Sequence, residues 1–107
     1  MGGVADPTDD LLAFIAASPS PYHAVATAAA RLEAAGFKPL DEAEAWDDVD
    51  GARYIVRGGA LVAWRLPADA PPHAGFRVVG AHTDSPNLRL KPRPAAALLV
   101  GAHSDVT

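Results

Sequence analysis

Polar and apolar positions along this chain change period several times, and each change predicts an element. Leu11, Leu12, Phe14 and Ile15 recur at helical spacing behind Asp6-Pro7-Thr8-Asp9. That opening suits a helix start, with Asp6 as the cap, Pro7 in the first helical position and acidic groups in the first turn. Ser18-Pro19-Ser20-Pro21 closes this helix and opens a second, expected from about Pro21 to Ala35. Val25, Ala26, Ala29 and Leu32 fall on one side of that helix, and Gly36 is placed to stop it in the left-handed conformation.

The period then shortens. Residues 37–40 predict a brief strand, and the acidic run from Asp41 to Asp50 carries Trp46 as an apolar anchor. Residues 53–57 and 60–66 read as strands on either side of Gly58-Gly59, a pair that predicts a hairpin with a type I′ turn. Pro67 to Pro72 reads as a surface loop. Residues 76–80 grow more continuously apolar towards Gly80, which predicts a central strand covered on both faces. The expected fold class is therefore α/β: two helices, a hairpin and then a central strand. It reads as a fragment whose sheet continues in a longer polypeptide.

Composition narrows the function classes. The 107 residues are half hydrophobic and 21% charged, which fits a folded segment rather than a disordered tail. A formal net charge of −4 gives no basic face for nucleic acid, and Arg89, Lys91 and Arg93 make only a short basic run. Without cysteine there are neither disulfides nor thiolate metal sites. No signal-peptide pattern opens the chain, and no apolar run approaches membrane-spanning length, so a cytoplasmic location with no membrane partner is expected.

The chemistry concentrates at His82 and Asp84, just past the predicted central strand. Open α/β sheets hold ligands beyond the carboxyl ends of their strands. An imidazole there can coordinate a metal through one ring nitrogen while an acceptor holds the other. Taken alone, such a pair is more often a histidine capping a strand end and an aspartate in a local turn. His23 reads as a residue of packing or local hydrogen bonding, His73 as solvated, and Glu42 and Glu44 as surface acids.

The run from Val79 through Gly80-Ala81-His82-Thr83-Asp84-Ser85 to Pro92 resembles the first metal-binding motif of the aspartyl aminopeptidases. The resemblance reaches back through Ser20-Pro21-Tyr22-His23-Ala24-Val25 and the helix end at Leu32 to Phe37. It also takes in Leu40, Glu42, Trp46 and Tyr54, and covers roughly residues 9–94 in order. It implies the N-terminal portion of a zinc-peptidase-like catalytic domain over residues 1–94. By the same resemblance, His82 is a Zn2+ ligand, Asp84 is the active-site carboxylate that orients it, and Lys91 and Pro92 continue the loop.

Complete relatives hold two zinc ions, remove acidic N-terminal residues from peptides and form homo-oligomers. Their other ligands and general base lie beyond the residues present, so the isolated chain is expected to be inactive. The competing expectation is a non-catalytic α/β structural or interaction module. Residues 95–107 depart from the family pattern as an alanine-rich tail, in which Gly101-Ala102-His103-Ser104-Asp105 echoes Gly80-Ala81-His82-Thr83-Asp84. The echo reads either as a second ligand-bearing strand end or as a displaced copy. The latter is favoured because His103 stands close to the terminus.

Overall fold

A computed structural model describes residues 6–47, 49–86 and 88. Its elements are α1 (Pro7–Ala16), α2 (Pro21–Ala34), β1 (Lys38–Pro39), β2 (Gly51–Arg57) and β3 (Ala60–Leu66). Both helices begin as their sequences dictate. Asp6 accepts a hydrogen bond from the Thr8 N–H at 2.9 Å, and Ser20 accepts one from the His23 N–H at 3.3 Å, so each satisfies an amide that lacks an intrahelical partner. Proline follows each cap, where its missing N–H costs nothing.

The exit from α2 is equally local. Gly36 takes φ +88°, its N–H donates to the Glu33 carbonyl at 2.9 Å, and the Phe37 N–H reaches back to the Leu32 carbonyl at 2.9 Å. These are the paired bonds of a Schellman motif, and they turn the chain directly into β1. Arg31 ties the helices together by donating to the Asp10 carboxylate at 2.8 Å, with its guanidinium 5.1 Å from the Phe14 ring centroid.

The three strands form one mixed sheet in the order β1-β2-β3. β1 runs parallel to β2, with Lys38 opposite Arg53, and β2 runs antiparallel to β3 from Gly51↔Leu66 to Arg57↔Ala60. The acidic segment connects the parallel pair and is pinned through its tryptophan, as expected. The Trp46 indole donates to the Asp41 carbonyl at 3.0 Å, and its ring lies 6.1 Å from that of Trp64. Trp64 in turn donates to the Val49 carbonyl at 3.2 Å.

Alternation along β2 sends Tyr54 towards α2, where its hydroxyl donates to Glu33, and places Ile55 and Arg57 on the other face. Val25 and Tyr54, 2% and 5% exposed, form the buried core among the described residues.

Three expectations change in the structure. Residues 76–80 form no strand among the described residues, and Phe76 and Val79 are 83% and 97% exposed. A strand exists only through a ladder to a neighbour, so apolar composition alone does not make one. Ala26 faces solvent although Val25 beside it is buried, and Leu11, Leu12 and Ile15 of α1 are more than half exposed. An apolar stripe marks a face that is able to bury, while a packed neighbour decides whether it does.

The turn also differs in type. Gly58 has φ +55° while Gly59 stays out of the positive-φ region, the φ pattern of a type II′ rather than a type I′ turn. The extent of α2 is as expected, Pro21–Ala34 with Ala35 as its cap. The α/β architecture itself is as the sequence predicts.

Candidate metal-ligand site

The β2–β3 turn is the part of the fold nearest the candidate chemistry in bonding terms. The Thr83 hydroxyl donates to the Gly59 carbonyl at 2.7 Å, across 24 residues of sequence. This contact sets the residues on either side of Thr83, His82 and Asp84, beside the hairpin tip. The two side chains are 75% and 63% exposed, so the imidazole is open to solvent and not packed among aliphatic neighbours.

His82 Nδ1 faces two acceptors. The Asp84 main-chain carbonyl lies within hydrogen-bond distance, and the Asp84 carboxylate oxygen Oδ1 stands at 3.5 Å. Among the described residues these acceptors lie on the Nδ1 side, and with the ring hydrogen on Nδ1 the Nε2 lone pair would be available to a metal ion. Metal-ligating histidines take this form, with the second ring nitrogen held by a carbonyl or carboxylate. The sequence pointed to the Asp84 carboxylate as the orienting group. In the structure the closer acceptor is the same residue's backbone oxygen, and the carboxylate adds its negative charge from slightly farther away.

The other candidates separate cleanly. His23 Nδ1 lies 2.6 Å from Ser20 Oγ at the start of α2, a local contact that completes the helix cap. His73 is exposed in its loop. Glu42 is engaged by Arg57, whose Nε donates to both carboxylate oxygens at 3.0–3.1 Å, and this pairing raises the Arg57 pKa. Glu44 shares with them an open depression of about 620 Å³, lined also by Pro39, Leu40 and Tyr54. His82 and Asp84 are not part of its lining. Lys91, Pro92, His103, Asp105 and the expected 95–107 tail lie outside the described residues.

A catalytic zinc takes three protein ligands and an exchangeable water. Among the described residues no group of three histidine, aspartate or glutamate side chains could hold a metal ion. The donor set among the described residues offers one candidate ligand position, at His82, and does not complete a site. Thr83 went unnoticed in the sequence, because nothing local pairs its hydroxyl with a carbonyl in a distant turn. The hairpin glycines were the available signal that a close approach occurs there.

Against known families, residues 14–102 match the model described as aminopeptidase I zinc metalloprotease (M18). The chain belongs to the M18 family. M18 relatives include the "Probable M18 family aminopeptidase 2" of Streptomyces avermitilis, 64% identical over 90% of this chain and 21% of the relative. The protein of the same name from Mycobacterium leprae is 56% identical over 79% of the chain and 20% of its own length. That of Pseudomonas aeruginosa is 50% identical over 87% and 22%.

A chain in the cryo-EM structure of the Ape4 and Nbr1 complex superposes with a TM-score of 0.72 at 36% identity, covering 78% of this chain and 17% of that one. The chain thus spans about a fifth of the length of the M18 relatives it matches. Among the described residues, no helix is long and apolar enough to cross a membrane.

Proposed function

We propose that this chain supplies the first zinc ligand, His82, and the surrounding N-terminal part of a zinc-dependent aminopeptidase acting on peptides with acidic N-terminal residues. The observation that carries the reading is the exposed His82 ring, with Nδ1 turned to the acceptors of Asp84. M18 membership and the family resemblance of the 79–92 run supply the rest of its support. When bound, zinc in such an enzyme polarises the scissile carbonyl and lowers the pKa of a bound water.

The work of this chain's residues is to hold and orient. His82 offers a neutral lone pair, and Asp84 keeps the ring in the productive tautomer while balancing positive charge near Nδ1. In the complete enzyme two zinc ions occupy the site, the remaining ligands and the general base come from outside residues 1–94, and the protein works in the cytoplasm as a homo-oligomer. Residues 95–107, with His103 and Asp105, lie outside this ligand set. The chain of 107 residues alone is without peptidase activity, because His82 is the one ligand this reading assigns among the described residues, and one ligand does not hold a catalytic zinc.

Two measurements test this. Nitrogen-15 NMR during a Zn2+ titration should move the His82 Nε2 resonance while those of His23 and His73 stay in place. An unresponsive His82 ring overturns the ligand assignment. In parallel, the zinc-loaded chain is assayed on aspartyl, glutamyl and leucyl anilides, with no turnover above buffer expected. Turnover that follows the purified chain and disappears in His82→Ala overturns the claim of inactivity.

A further inference from the structure

We draw no further inference here: the strongest candidate, the exposed apolar stripe of Leu11, Leu12 and Ile15 along α1, is an unpartnered helix face, and nothing in the structure shows what covers it.

Discussion

Replacing Tyr54 by phenylalanine isolates one hydrogen bond in the small core of this chain. The ring of Tyr54 is 5% exposed and Phe keeps it, so the apolar burial survives and only the hydroxyl donated to Glu33 disappears. Hydrogen bonds to charged acceptors contribute about 1.5–3 kcal/mol. Glu33 is exposed and regains water when its partner is lost, so the low end applies: a loss of about 1.5 kcal/mol near neutral pH. Urea unfolding followed by Trp46 and Trp64 fluorescence should show a lower midpoint with an unchanged slope.

The same contact predicts a pH dependence. The bond to Glu33, helped by burial and by the negative charge of Glu33, raises the Tyr54 pKa above its ordinary 10.0. The folded state therefore holds the phenolic proton more tightly than the unfolded state. The resulting stability is complete below 10.0 and drains away as pH rises through the elevated folded value. Wild-type stability should fall across that alkaline window more steeply than that of Tyr54→Phe, since every other alkaline group is common to both. Equal midpoints near neutral pH, or parallel alkaline profiles, would refute the reasoning.

Two further substitutions probe burial and backbone separately. Val25→Ala removes two buried methyl groups at about 0.8 kcal/mol each, so about 1.6 kcal/mol of stability should go, against almost none for Ala26→Ser on the exposed side; matched thermal melts of the two variants check this. Gly36→Ala meets no atom within 4 Å, so its cost is purely that of a Cβ at φ +88°, about 1–2 kcal/mol by urea midpoint. Gly36→Asn should recover part of that loss, because asparagine tolerates the left-handed region.

Where the sequence could be read, the governing interactions are short. Asp6-Pro7 and Ser20-Pro21 announce helix starts because each cap bonds an amide two or three residues away. Gly36 announces a helix end because both Schellman bonds close within six residues. The hairpin was legible from two strand-like runs flanking paired glycines, although φ at Gly59 made the turn a different type. His82 was legible as a candidate ligand through the 79–92 run and its family resemblance.

What the tertiary structure alone decided depends on partners far along the chain. It chose Val25 over Ala26 for burial and left the α1 stripe half open, because burial needs an opposing surface that no helical period supplies. It kept residues 76–80 out of the sheet, because a strand is completed by its neighbour's hydrogen bonds. It joined Thr83 to Gly59 and placed the Asp84 carbonyl nearer than its carboxylate to the His82 ring. Local hydrogen bonding lies within a few residues and is written in order; ladders, burial and the setting of the His82 segment arise only when distant segments meet.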